Sequence, residues 1–432
     1  MKIAVVGGGG REHTIIRKIK ENPSITKIYA IPGNGGISFD AECVPIKATD
    51  VEKIAEFAQN AQLDFVVVAP DDPLVLGLVD LLEEKGIPSF GPRKNAAIIE
   101  GSKVFSKQLM EKYNIPTAFY KAFSNADEAK EYLKANAIWP IVLKADGLAL
   151  GKGVLICNTL QEALEGVKQI MEDKAFGESG NNMVVEEFLT GPEVSVLAFT
   201  DGKTLVPMVS SMDHKRALDD DKGLNTGGMG TVSPNPHYTL EIARLCMQTI
   251  FIPTIQAMQS ENRTFKGCLY FGLILTPQGP KVIEYNCRFG DPETQVVLPL
   301  LQTDLLTIMQ AVHTETLSEL SIAFDGNSAA ACVILASGGY PESYKTGYKI
   351  HGLQNGNLLE EDVEVYHAGT KIDKNGELLT AGGRVLGVTA TAKTLQEALQ
   401  KAYAATEKIS FEDMHFRKDI GKSALGALQI NK

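Results

Sequence analysis

Lys281–Glu293 reads KVIEYNCRFGDPE. Val282, Ile283 and Tyr285 favour a strand, in which successive side chains point to opposite faces. Glu284, Asn286 and, if the strand persists, Arg288 then line one face. A carboxylate, an amide oxygen and a guanidinium pointing the same way suit a magnesium–phosphate site: hard oxygen ligands beside an arginine fork. The competing reading is a polar edge strand. Cys287 alternates away from Glu284 and reads as structural.

Upstream, KGCLYFGLILTPQGPKVIEYN is a hairpin turning near Pro277–Gly279. VSVLAFTDGKTLVPMVS (194–210) is a second, turning at Asp201-Gly202. Strands at 139–145, 154–158 and 183–189 and helices near 160–173 and 239–259 complete an α+β unit from 101 to about 325. Its flap part covers about 117–190. Before it, KIAVV (2–6), GGGG, a helix near 11–21, KIYAIP (27–32), a helix near 51–61, DFVVVAP (64–70), a helix near 74–85 and IPSFGP (87–92) alternate as in a parallel α/β sheet ending near 100. After it, AAACVILASGGYP, VEVYHAGT and GRVLGVTATA are strands of a smaller unit, 326–425.

The chain has 432 residues, enough for two to four domains. Its net charge of −11 argues against nucleic acid or an anionic membrane as the main partner. The six cysteines lack CxxC spacing and read as reduced thiols. With no signal-peptide pattern and no membrane-length apolar run, a cytoplasmic location is expected.

Three further elements handle phosphate or nucleotide. The N-terminal strand–GGGG–helix offers glycine amides and a helix N-terminus to an anion. Glu12 stands where a dinucleotide fingerprint needs its third glycine, and the second strand ends without an acid, so an NAD-dependent oxidoreductase is disfavoured. Arg11 and His13 suit a phosphate or carboxylate better; the alternative for His13 is a solvent-exposed helix residue. Lys144 to Gly153, KADGLALGKG, is not a Walker A loop, since a strand and no Ser or Thr follows the lysine. It reads as a glycine flap between two strands, with Lys144 and Lys152 supplying charge, or as a plain hairpin loop. MVVEEFLTGPEVS suits an adenine pocket, although Glu186, Glu187 and Glu193 taken alone would more often be ordinary surface acids. SSMDHKRALDDDKGLNTGGMG (210–230) is a long polar stretch expected to be functional, with Asp219–Asp221 solvated.

Together with PGNGG (32–36), FGPRKNAAIIEGSKVFSK (90–107), NTGGMG (225–230), ASGGYP (336–341) and TAGGRVLGVTA (380–390), these motifs run over nearly the whole chain. They resemble the phosphoribosylamine–glycine ligase family of the ATP-grasp superfamily. The resemblance implies an N-terminal parallel-sheet domain, a two-part ATP-grasp domain and a small C-terminal domain around one cleft. It implies ATP with Mg²⁺ or Mn²⁺ held by Glu284 and Asn286. ATP would meet Lys103, Lys144, Gly151, Lys152, Gly153, Glu186 at the adenine, Glu187, Leu189, and Glu193 at the ribose. Arg288, Lys215 and Asp213 would be catalytic. Gly9, Gly10, Arg11, Glu12, His13, Pro32, Gly33, Asn34, Asp213, Lys215, Thr226, Gly227, Gly290, Asp291, Pro292 and Glu293 would surround glycine and 5-phosphoribosylamine. The protein is expected to be a monomer acting on small molecules.

Two departures stand out. Family members usually carry GPEAPL where this chain has Ala69-Pro70-Asp71-Asp72-Pro73-Leu74. The strand CLYFGLIL carries no acid, so a second metal carboxylate must come from elsewhere, or phosphates and water must serve. Alternatives are a ligase using formate or bicarbonate, and an inactive nucleotide-binding module.

Overall fold

The computed structural model describes residues 1–136, 138–148, 153–358 and 360–430. The expectations for Gly151 and Lys152 lie outside the described residues. The first sheet is parallel, ordered Glu42–Cys43, Lys27–Pro32, Lys2–Gly7, Phe65–Val68, Ser89–Phe90. Strand order reverses at Lys2–Gly7. A crevice therefore opens beyond the carboxyl ends of this strand and Phe65–Val68, between the glycine turn and the Ala69–Asp72 segment. The helix expected over 74–85 is two, Asp71–Leu76 and Leu78–Glu84, broken at Gly77 with φ +96°.

The central antiparallel sheet runs Leu205–Pro207, Glu193–Thr200, Gly267–Thr276, Gly279–Asn286. Its last strand is the opening motif, and it carries a bulge. Gly272 pairs with Glu284 while the adjacent Leu273 pairs with Val282, which leaves Ile283 as the extra residue. The bulge lets Val282 and Tyr285, three apart, both enter the core, while Glu284 and Asn286 face the cleft half-exposed. The strand stops at Asn286, short of Arg288.

Alternation welds the first two sheets together. Ala4 and Val6 pack in one cluster with Val194, Val196 and Phe271, while Ile3 and Val5 pack in another with Leu197 and Phe199. The flap sheet, Tyr120–Phe123, Met183–Glu187, Ile141–Ala145 and Val154–Cys157, has a core drawn only from its own residues and its flanking helices.

The last large sheet runs Met212–Asp213, Gly230–Ser233, Ala329–Ser337, Arg384–Ala392, Val363–His367. Its first two strands come from the polar 210–230 stretch and its edge, so that stretch is stitched into the C-terminal sheet. Asp219–Asp221 are exposed, as expected, and two of them also bond: Asp221 Oδ1 accepts from buried Arg417 at 2.9 Å, and Asp219 Oδ1 accepts from Lys418 N at 2.8 Å. No helix among the described residues is long and apolar enough to cross a membrane.

Candidate active site

Glu284 faces a ring of cations. Lys215 Nζ lies 3.6 Å from its carboxylate. Burial opposes its ionisation, but the charges of Lys215, Lys144, Lys103 and Arg288 outweigh that and hold its carboxyl below the usual range. Lys103 Nζ donates to Gly147 O at 2.6 Å, at the start of the glycine flap, and burial pulls its ammonium down while Glu284 pulls it up. Lys144 Nζ donates to Ile283 O at 3.1 Å, the carbonyl of the bulge residue. Lys103, Lys144 and Lys215 therefore all act on Glu284.

Asn286 and Arg288 do meet, through a residue that the motif does not contain. Glu100, buried at the end of helix Lys94–Gly101, accepts from Asn286 Nδ2 at 3.1 Å, from Cys287 N at 2.7 Å and from Arg288 at 2.9 Å. With its Nδ2 committed to Glu100 and to Tyr285 O, the Asn286 amide presents Oδ1 as the free acceptor. The donor set fits a hard divalent cation at two positions, a carboxylate and an amide oxygen. Among the described residues no cluster of three or more His, Cys, Asp or Glu is placed to hold a metal. Glu100 is spent on positioning, so phosphate and water must complete any such shell. Arg288 also approaches Asp71 at 4.0 Å, so the shortened acid of the Asp71-Asp72 departure reaches the site. Cys287 is buried and its thiol is pushed well above the ordinary value by burial and then by Glu100, in keeping with a structural role.

Glu186 is buried between Lys107 and Lys144, 3.1 Å from each. Its Oε1 has no hydrogen-bond partner among the described residues. Burial lowers Lys107 to about 8 despite Glu186. Glu187 is turned to the neighbouring strand, accepting from Phe119 N at 2.9 Å and pairing with Lys281 at 3.2 Å. Leu189 is half-buried, and Gly153 sits at the base of the flap, its carbonyl accepting from Ala145 N at 2.8 Å. Glu193 lies exposed at the cleft edge, 3.8 Å from Lys215.

The opposite wall is acidic. Burial, and then the charge of Glu293, drive the Asp213 carboxyl well above its usual range against Lys215 and Arg384. Ser195 Oγ shares a hydrogen bond with Tyr270 at 2.9 Å and donates to Glu293 Oε1 at 3.4 Å. Thr226 Oγ1 donates to Lys215 O at 2.8 Å and shapes the turn that carries Gly227 and Gly228. Gly228, at φ +114°, leaves room that a Cβ would fill 2.6 Å from Asp213 and 2.5 Å from Pro292. Gly290 O receives Thr294 and starts the loop that carries Asp291, Pro292 and Glu293.

The N-terminal turn is largely satisfied from within, and Glu12, His13 and Asn34 each hold partners inside the protein. Glu12 accepts from Gly9 N at 2.6 Å and from Arg11 Nε at 2.6 Å, so the helix N-terminus offered to an anion already holds a carboxylate. His13 is fully buried, with Nε2 3.0 Å from Asp40 and Nδ1 accepting from His367 N at 2.8 Å, which leaves no ring nitrogen for a ligand. Asn34 Nδ2 donates to Gly8 O at 2.9 Å and His367 O at 2.8 Å, while its Oδ1 caps Ile37 N at 2.9 Å. His13 and Asn34 tie this turn to the C-terminal sheet. Arg11 reaches Phe289 O at 3.0 Å, Gly9 and Gly10 face Asp291 and Gln295, and Pro32 and Gly33 pass beside the turn.

Family models cover this arrangement end to end: the N domain of phosphoribosylglycinamide synthetase matches residues 1–100, its ATP-grasp (A) domain 101–294 and its C domain 330–423. The chain belongs to the phosphoribosylglycinamide synthetase family. A phosphoribosylamine–glycine ligase of Caldanaerobacter subterraneus is 47% identical over 97% of this chain and 99% of its own. A bifunctional purine biosynthetic protein of Pichia angusta is 44% identical over all of this chain and 55% of its own. Among solved structures, the phosphoribosylamine–glycine ligase of Thermotoga maritima superposes with TM-score 0.83 at 32% identity, covering 97% of this chain and 100% of that one. A biotin carboxylase domain of Hydrogenobacter thermophilus shares the fold, with TM-score 0.73 at 18% identity over 96% and 91%.

In this synthetase-family site, sequence reasoning passed over Glu100, Lys107 and Arg384. Glu100 had a faint signal, an acid inside the apolar run AAIIEG. Arg384 opens a strand read only for its apolar pattern and had none.

Proposed function

We propose that this chain joins glycine to 5-phosphoribosylamine at the expense of ATP, giving glycinamide ribonucleotide, ADP and phosphate. The observation that carries the reading is the ring of Lys103, Lys144, Lys215 and Arg288 around Glu284, in a chain whose full length matches the family. Glycine's carboxylate attacks the γ-phosphorus, and the bond to the ADP oxygen breaks to give glycyl phosphate. The amine of phosphoribosylamine then attacks the acyl carbon, phosphate leaves with the bonding pair, and the amine proton passes to an acceptor on the acidic wall.

Glu284 and Asn286 would hold Mg²⁺ or Mn²⁺, which when bound neutralises phosphoryl oxygens. The lysines hold and orient the phosphates, and Arg288, fixed by Glu100, faces the charge developing on the transferred group. The unpartnered Oε1 of Glu186 is an acceptor for an exocyclic amine such as adenine's. Closing the flap would keep water from the acyl phosphate.

ADP release measures this directly. With phosphoribosylamine formed in place from ribose 5-phosphate and ammonia, turnover is expected only when glycine is added. Equal turnover with formate or bicarbonate, or none with any acid, would overturn the reading.

A further inference from the structure

Arg384 opens strand Arg384–Ala392 of the C-terminal sheet and faces the acidic wall. Arg384 donates from NH1 to Gly227 O at 2.7 Å and to Asp291 O at 2.8 Å, and its NH2 lies 3.4 Å from the Asp291 carboxylate. It thus holds the 226–228 turn and the 290–293 loop at once, although the two are about sixty residues apart in the chain. The second segment carries Glu293, and Asp213 lies beside both, next to Gly228 and Pro292.

Two observations show that the grip is built. Gly227 has no Cβ where one would stand 3.0 Å from the Arg384 guanidinium carbon, so the guanidinium lies flat against the turn. On the other side of the same residue, Gly227 N donates to Tyr340 OH at 3.0 Å. Both polar groups of one peptide residue are therefore held by side chains of the C-terminal domain, Arg384 from its sheet and Tyr340 from the turn after strand Ala329–Ser337. Asp291 is held from the far side as well: Gln295 Nε2 donates to its Oδ1 at 2.8 Å, and the Gly9 Cα hydrogen side faces its Oδ2. The loop between the nucleotide cations and the N-terminal turn is clamped at its middle by Arg384.

We propose that Arg384 is a positioning residue for the glycine and amine subsites, through which the C-terminal domain sets the wall formed by Asp213 and Glu293 without touching the nucleotide subsite. The proposal rests on the ligase reading above. The cations around Glu284 come from Lys103, Lys144, Lys215 and Arg288, and none of them bonds to Arg384. Losing Arg384 should therefore move recognition of glycine and phosphoribosylamine apart from recognition of ATP.

The test is steady-state kinetics of Arg384→Met and Arg384→Lys in the full chain, with Tyr340→Phe as a milder break of the same grip. In Arg384→Met, the KM for glycine and for phosphoribosylamine is expected to rise tenfold or more while the KM for ATP stays within twofold. Arg384→Lys keeps one donor and should fall between, and Tyr340→Phe should shift the same two constants severalfold. Circular dichroism and melting curves report folding, and if Arg384→Met does not fold, the other two variants carry the decision. Parallel rises in all three KM values, or unchanged glycine and amine constants, would overturn the proposal. Absence of glycine-dependent turnover in the unmodified chain would instead sink the ligase reading, so the two failures are distinguishable.

Discussion

At the scale of single residues, the site is a problem in charge. Glu284 is held ionised by the four cations around it, whose charges outweigh the cost of desolvation. Glu284→Ala should cut ATP turnover by on the order of 100-fold or more, since a cation site supplies several kcal/mol to the transition state. Its melting curve should stay near that of the unmodified chain, as the side chain makes no core contact; ADP release and a thermal melt check both. Activity retained at ordinary Mg²⁺ would count against the metal assignment. Glu100 acts one step back, by orienting Asn286 and Arg288 together. Glu100→Gln turns one acceptor oxygen into a donor facing them. It should raise the Mg²⁺ concentration for half-maximal activity by about 10–100-fold, the usual cost of losing an outer-shell partner. A metal titration of turnover reads this.

At the scale of elements, the bulge at Ile283 is what makes one strand serve both core and cleft. It places Val282 and Tyr285 inward and aims Glu284 and Asn286 at the nucleotide side. The neighbouring strand accommodates this with Gly272 directly opposite Glu284, where a Cβ would stand 3.0 Å from Glu284 Cγ. Gly272→Val should therefore push the carboxylate off its position. The expected result is a severalfold rise in the KM for Mg–ATP with a smaller change for glycine, measured in the same ADP assay. Equal changes for both substrates would show that the pair is only structural. Strand positions 282–286 were legible from residue type, but the bulge was not, because it arises from pairing with Gly267–Thr276 rather than from local preference.

Across the whole molecule, the N-terminal turn, the central sheet and the C-terminal sheet are joined by buried polar contacts, and two of these titrate. Burial holds His13 at about 4 and, with the neighbouring His13, His367 at about 3, below the ordinary imidazole value near 6.5. Between those values the unfolded chain binds protons that the folded chain refuses. The stability they contribute is thus complete above pH 6.5 and is lost as the pH falls toward 4 for His13 and toward 3 for His367. Each adds a slope of up to about 1.4 kcal/mol per pH unit in that window. Denaturant unfolding between pH 7 and 4 should show this loss, and His13→Asn should flatten it by about one proton. An unchanged slope would mean that the histidine is protonated in the fold. The flap has an apolar core of its own and meets the central sheet through Lys144 and the Ile283 carbonyl.

The sequence by itself determined the alternation that builds the first sheet, the two hairpins, the lysines flanking the glycine flap and the pair Glu284 and Asn286, because each rests on residue type and a period of two or about 3.6. Only the tertiary structure decided who their partners are. Glu100 reaches Asn286 across 186 residues, Arg384 reaches Asp291 across 93, and His367 meets His13 across 354. The same packing gave His13 and Asn34 partners on the C-terminal sheet and stitched the 210–230 stretch into that sheet. A side chain's chemistry is local, but whether its donors and acceptors remain free for a ligand depends on what distant chain the fold lays against it.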